Sequence, residues 1–229
     1  MDEAYDGVPA TLVRPVFQAA RTLRFSGPVV SDVVKQTNTT LDAEIVSAIL
    51  EGALRLLPPD NSPSGREKRQ REMRIKAAHA LDADTNFVAS VRQLHLDLMD
   101  ERQQKDRIKA AIEQGTKDIV QITPDVLFSG PTQFLGSPCH WLEYKNTFGF
   151  KSNPFLHRKH RDQLRRYVAA FGPGMVVYKL GHEKNLFSIE GVQVCREREV
   201  LLWIDREVVA RQTAGEASVL PPEDSVFDH

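Results

Sequence analysis

The chain has 229 residues, 41% hydrophobic and 27% charged, which suits one large domain or two small ones with an ample core. A net charge of −1 excludes whole-molecule attraction to nucleic acid, so only local charge can argue for that partner. Two cysteines, Cys139 and Cys195, with no CxxC pair, exclude a disulfide framework and a four-cysteine zinc site.

No run reaches the roughly 18 apolar residues of a membrane span, and the acidic start "MDEAYDG" lacks secretory-signal character. An intracellular location, nuclear or cytoplasmic, with no membrane partner is therefore expected.

Residues 10–25 and 41–57 carry apolar residues at three- and four-residue steps. In the second, Leu41, Ile45, Ala48, Ile49 and Leu56 share a stripe. A short helix is expected from about Val29 to Gln36, after Gly27-Pro28, and Thr39 and Asp42 offer a cap for the next helix. These helices, within residues 1–60, read either as a helix-turn-helix-like unit or as a plain three-helix packing module. Next come a linker and a basic helix, within residues 61–100. The linker signal is "PPDNSPSG", Pro58 to Gly65. The helix is "REKRQREMRIKAAHAL", Arg66 to Leu81, whose basic residues could line a DNA backbone or form a solvated face. A further helix is expected from Asn86 to about Gln114.

From Ile119 the pattern becomes β-rich. "DIVQITPDVLF", "CHWLEYKN" and "GMVVYKL" read as strands, with a loop "SGPTQFLGSP" between the first two and a helix at about Leu156 to Phe171. "LFSIEGVQVCREREVLLWI" reads as two or three more short strands. The tail from Gln212 is acidic and aperiodic, so 212–229 is expected to be disordered. The fold class is therefore α/β, a helical N-terminal region followed by a mixed-sheet domain over 101–211.

Side-chain alternation puts Glu143 and Lys145 on one strand face, flanked by Trp141, Leu142 and Tyr144. Burying both charges is costly unless partners or a metal compensate. Asp125, on the preceding strand of a hairpin, can reach Glu143. Two carboxylates about 4 Å apart repel by roughly 4 kcal/mol at an effective dielectric near 20. A divalent cation turns that repulsion into a site, and oxygen ligands favour Mg2+ or Mn2+. Lys145 would orient the attacking water and offset developing charge.

Pro124-Asp125 followed by Glu143-Tyr144-Lys145 resembles the PD-(D/E)XK pattern of the restriction-endonuclease-like nucleases. Gln163 to Tyr167 is similar to the QxxxY motif of its RecB-like members. "TPDVLF", "HWLEYKNTFG", "DQLRRY" and "FGPGMVVYKLGH" together resemble the codanin-interacting nuclease family over about Thr123 to His182. The segment "KSNPFLHRKHRDQ" departs from the family in length and charge. The resemblance implies an αβββαβ core and a metal-dependent hydrolase, a DNA-binding deoxyribonuclease.

By motif, Asp125 and Glu143 would hold the metal, Lys145 would assist the water and Gln163 would steady the site. Tyr167 would contact substrate or pack beneath Gln163. A further acidic ligand on the helix before the first strand would be Glu101, with Asp100 and Glu113 as rivals. Lys151, Arg158, Lys159, Arg161, Arg165 and Arg166 would contact DNA, which could be branched or single-stranded. His157 and His160, three apart, lack a third zinc ligand. The alternatives are a non-catalytic adaptor for DNA or a codanin-like protein, and an RNA-directed nuclease.

Overall fold

The computed structural model describes residues 5–116, 118–153 and 155–217. It opens with three helices, α1 (Ala10–Leu23), α2 (Val30–Thr37) and α3 (Ala43–Leu54). Their apolar stripes converge on Val13, Val16, Val33, Val46 and Ile49, and this small core closes over Phe148 and Phe150 from the second half of the chain. The N-terminal unit is therefore seated on the rest of the protein. Its attachment is reinforced by backbone hydrogen bonds linking Val8 to His182 and Lys184. Among the described residues, no helix is long and apolar enough to cross a membrane.

The second half is built on one mixed sheet, in the order β1 (Leu98–Asp100), β2 (Val126–Phe134), β3 (Ser137–Lys145), β4 (Gly174–Tyr178), β5 (Val192–Arg196). The first three strands run antiparallel, and β3, β4 and β5 run parallel. The parallel return from β3 to β4 requires a crossover, which α6 (Leu156–Phe171) supplies. Strand alternation on β3 divides the core. Leu142 and Tyr144 face α4 (Pro63–Arg92) and α7 (Glu197–Ala217), in a cluster with Phe87, Val91, Val200 and Ile204. Trp141 faces the other way, onto Leu164 and Tyr167 of α6. The chain is thus α/β, with a helix-covered sheet whose order from α4 to β4 is helix, three strands, helix, strand, with α5 (Glu101–Glu113) inserted between β1 and β2.

Several elements differ from the sequence-based expectation. Residues 86–114 are not one helix. α4 runs unbroken from Pro63 to Arg92, because nothing in Leu81–Asn86 stops a helix. The break comes later, where His95 takes a positive φ of 51° and Leu94 and Leu98 turn into the core. Asp100 then caps α5 in a reciprocal box with Gln103.

The expected loop "SGPTQFLGSP" is instead mostly strand. β2 continues to Phe134 through an irregularity after Leu127, and a tight turn at Leu135–Gly136, both at positive φ, leads into β3. Asp125 consequently sits just before β2. The segment after β5 is a helix, because Val200, Ile204 and Val208 recur at four-residue steps and pack on the sheet. That helix continues to Ala217, into the stretch expected to be tail. Residues 218–229 lie outside the described residues.

Gly174 shows how tightly this frame is packed. A Cβ there would overlap the indole of Trp141, which is fully buried and donates from Nε1 to the Gly172 carbonyl at 2.9 Å. Gly174→Ala is expected to cost about 1–3 kcal/mol of stability by overpacking, read as a lowered urea midpoint at unchanged slope.

Candidate functional site

The site lies where β3 ends and β2 begins, at one end of the sheet. Glu143 is 4% exposed. Its Oε1 accepts from Lys145 Nζ and from Gln163 Nε2, the latter at 2.9 Å. Its Oε2 is buried and has no hydrogen-bond partner. An orphaned carboxylate oxygen in so dry a place is costly unless something positive completes it.

Asp125 is tied to the same strand by its backbone: Oδ2 accepts from the Tyr144 amide at 2.6 Å. Residue 144 thus bridges the two carboxylates from the middle of Glu143-Tyr144-Lys145. Its ring, turned to the other sheet face, stacks on Phe87 with centroids 4.8 Å apart. Its hydroxyl donates to Glu197 at 2.7 Å.

Burial and the nearby Glu143 charge push the Asp125 carboxyl up to about 8, against the opposing pull of the Tyr144 amide and Lys145. His160, behind the site, is pushed down to about 3 by burial and donates to or accepts from Tyr178 at 2.8 Å, so it stands neutral. His157 contacts the Leu186 carbonyl at 3.1 Å. Both histidines thus bond to neighbouring protein groups.

Gln163 and Tyr167 stand one turn apart on α6. Gln163 Nε2 also donates to the Tyr167 hydroxyl at 2.8 Å, and that hydroxyl donates to the Thr123 carbonyl at 3.0 Å. Tyr167 is 3% exposed, so it lies beneath Gln163, braced against the segment that carries Asp125. Asp125, Glu143, Lys145, Gln163 and Tyr167 therefore form one connected group.

Glu101 lies on the helix that precedes the Asp125 strand, but a short strand, β1, comes before that helix. The helix before the first strand is α4, while Glu101 opens α5, between β1 and β2. It pairs with Lys105 at 2.7 Å and receives a long hydrogen bond from Thr123 at 3.4 Å. Of its rivals, Asp100 lines the same cleft as Asp125 while capping α5 and pairing with Arg92 at 2.7 Å, and Glu113 lies at the far end of α5. The acidic residue that α4 does supply is Asp84. It lines a cleft of about 500 Å³ together with Asp125, Glu101 and Arg92. Burial raises its carboxyl, and it feels the charges of Lys145 and Glu143. Asp84 falls in the gap between the two helices expected from the sequence, and only the continuous α4 carries it to the cleft.

Gln104 is a second residue that the sequence did not single out. It is 4% exposed, and its Nε2 donates to the Pro124 carbonyl at 2.8 Å and to the Met99 carbonyl at 3.1 Å. It therefore clamps the peptide immediately before Asp125 to β1.

The basic residues divide by helix phase. Lys159 and Arg166, four before and three after Gln163, flank its exposed side, whereas Arg158, Arg161 and Arg165 fall toward the opposite side of α6. Arg158 and Arg161 both approach Asp162, at 3.8 and 3.7 Å. Lys151 lies in the loop before α6, and its amide donates to the buried Glu183 at 2.8 Å.

A buried carboxylate with an orphaned oxygen, beside a half-buried one driven toward its neutral form by desolvation and by its charged neighbour, fits a divalent cation that would neutralise both. Among the described residues no three His, Cys, Asp or Glu side chains converge into a complete ligand set. Such an ion would keep several waters, as Mg2+ does.

A family model described as "Protein of unknown function TPD sequence-motif" matches residues 70–199. CDAN1-interacting nuclease 1 of Xenopus tropicalis is 39% identical over 82 residues, 35% of this chain and 24% of that protein. The protein of that name from Danio rerio is 30% identical over 130 residues, 56% of this chain and 36% of that protein. The Homo sapiens protein is 35% identical over 82 residues, covering 35% and 26%. The chain thus spans between about a quarter and a third of the length of these relatives. No solved structure matches it.

Two outcomes are expected. The raised Asp125 carboxyl is protonated in the folded, metal-free protein but ionised in the unfolded chain above about pH 4. The native state therefore loses stability as pH rises from about 4 to about 8, and levels off above. Asp125→Asn should flatten that loss in thermal melts taken in a chelator. Gln104→Leu should cost about 1–3 kcal/mol in urea unfolding, because it strands two carbonyls.

Proposed function

The chain belongs to the TPD sequence-motif family, and from that membership and the site geometry we propose that it is a metal-dependent nuclease hydrolysing DNA phosphodiester bonds. The observation that carries this reading is the orphaned, buried Oε2 of Glu143 beside Asp125, with Lys145 on the same strand face. Arrangement and chemistry agree with the PD-(D/E)XK pattern, and the relatives are named nucleases.

Asp125 and Glu143 would hold the ion, Mg2+ or Mn2+, and Asp84 would face it through water from α4. When bound, such an ion supplies a water of lowered pKa and neutralises charge on the phosphate. Lys145 would hold the attacking water by its ammonium and offset charge developing on the nonbridging oxygens. Gln163 would keep the Glu143 carboxylate in one rotamer by donating to Oε1. Tyr167 would act through Gln163 and the Thr123 carbonyl, without touching substrate. Lys159 and Arg166 would meet the phosphates beside the cut.

Cleavage of labelled duplex, single-stranded, flap, junction and RNA oligonucleotides with Mg2+ or Mn2+ tests this. Asp125→Ala, Glu143→Ala and Lys145→Ala should each lower the rate by about a thousandfold or more, the scale on which a lost charge stabiliser acts. Gln163→Ala, which loosens without removing a ligand, should lose far less. Intact oligonucleotides throughout the panel would refute the proposal, and cleavage confined to RNA would transfer it to that substrate.

The relatives' printed name favours a second reading, in which the fold docks a codanin-like protein. Stoichiometric capture of codanin-1 by wild type and Glu143→Ala alike, with no cleavage by either, would select it.

A further inference from the structure

α4 is 30 residues long, but only its C-terminal end is built into the core, through Phe87 and Val91. Residues 66–79 are exposed except for the half-buried Arg69. The sequence there, rich in Arg, Glu, Lys, Gln, Met and Ala, consists of strong helix formers, so the rod stands without an apolar face to bury. Its position is nonetheless held. Ser62 caps its start, accepting from the Gly65 amide at 3.0 Å. Arg69 donates to the Asp60 carbonyl. Lys76 pairs with Glu51 of α3 at 2.9 Å, and the Asn146 amide, one residue beyond Lys145, reaches the His79 carbonyl at 3.5 Å.

Charge on this rod is concentrated. Between Arg66 and Lys76 there are six Lys or Arg residues against Glu67 and Glu72, in a chain whose net charge is −1. Arg66, Lys68, Arg71 and Arg74 make no ion pair among the described residues. Met73, Ile75 and Leu81 are exposed, but Ile75 faces away from the other two, so no continuous apolar seam is offered to a partner helix.

The rod leads to the cleft. Asp84, near its root, lines the cleft with Asp125. Arg66 lies five helical turns before Asp84 and so returns to the same side, about 27 Å away, while Arg74 lies about 15 Å away, to one flank of that side. Lys68 and Arg71 fall on the opposite side. The rod carries no Phe, Tyr or Trp on which an unpaired base could stack, so its contact chemistry is electrostatic and suited to a duplex backbone.

We propose that the exposed part of α4 is a rail for the phosphate backbone of duplex nucleic acid leaving the cleft, with Arg66 and Arg74 as its contacts. This rests on the nuclease reading for the identity of the cleft. At 3.4 Å per base pair the rail spans about eight base pairs beyond the cut.

The test measures binding by fluorescence anisotropy in chelator, against salt, for duplex DNAs of increasing length. For duplexes long enough to run about eight base pairs past the site, Arg66→Gln/Arg74→Gln should weaken binding about tenfold at 100 mM salt. It should also lower the slope of log affinity against log salt by about 2, at roughly 0.9 per phosphate contact. Lys68→Gln/Arg71→Gln should leave the slope near wild type, and both variants should match wild type in circular dichroism. An unchanged slope for Arg66→Gln/Arg74→Gln, an equal loss for Lys68→Gln/Arg71→Gln, or no duplex binding by wild type overturns the rail. Cleavage by wild type against Glu143→Ala is read separately: a protein that binds along the rail but cuts nothing refutes the nuclease and keeps the rail.

Discussion

A carboxylate buried at the end of a sheet must be compensated from several directions at once, and Glu143 sets that demand here. Its Oε1 is served by a cation two residues along the same strand and by an amide from the helix packed on that face of the sheet. Gln163 can reach it only because α6 lies against β3, and α6 lies there because Trp141, Leu164 and Tyr167 share a core. Tyr167 in turn braces the Thr123 carbonyl and hence the segment leading to Asp125. Removing any one partner leaves a charge in a place with little water to receive it. The position of the whole group therefore depends on meeting this one requirement.

The backbone contributes as much as the side chains. Asp125 is anchored by the Tyr144 amide, so the strand that carries Glu143 and Lys145 on one face also presents its own N–H to the second carboxylate. Gln104 secures the same loop from the other side, through the Pro124 carbonyl. Tyr144 is fixed by Phe87 and Glu197 on the opposite sheet face. Packing on both faces of the sheet thus converges on three consecutive residues.

α4 connects the core with solvent. One end supplies Phe87 and Val91 to the interior, and the other stands in water with its charge unspent. The N-terminal helices are seated on the loop after β3 through Phe148 and Phe150. The exposed side of α3 carries Glu44 and Glu51, and Glu51 is paired to α4.

Local chemistry alone made much of this legible. Strand alternation placed Glu143 with Lys145, motif order linked them to Asp125, Gln163 and Tyr167, and helical spacing located α1 to α3 and α6. These signals depend only on near neighbours, whose geometry the backbone dictates. What only the tertiary structure decided is how distant segments compete for burial. Leu94 and Leu98 turn into the core and end α4 where no sequence breaker stands. Val200 and Ile204 make a helix of a β-rich string because the sheet offers them a face. Asp84 and Gln104, ordinary polar positions on helices by sequence, meet Asp125 and Pro124 only because the sheet brings α4 and α5 to its open end. The spacing of a sequence records which residues share a face, but which element that face meets is settled by the packing of the whole chain.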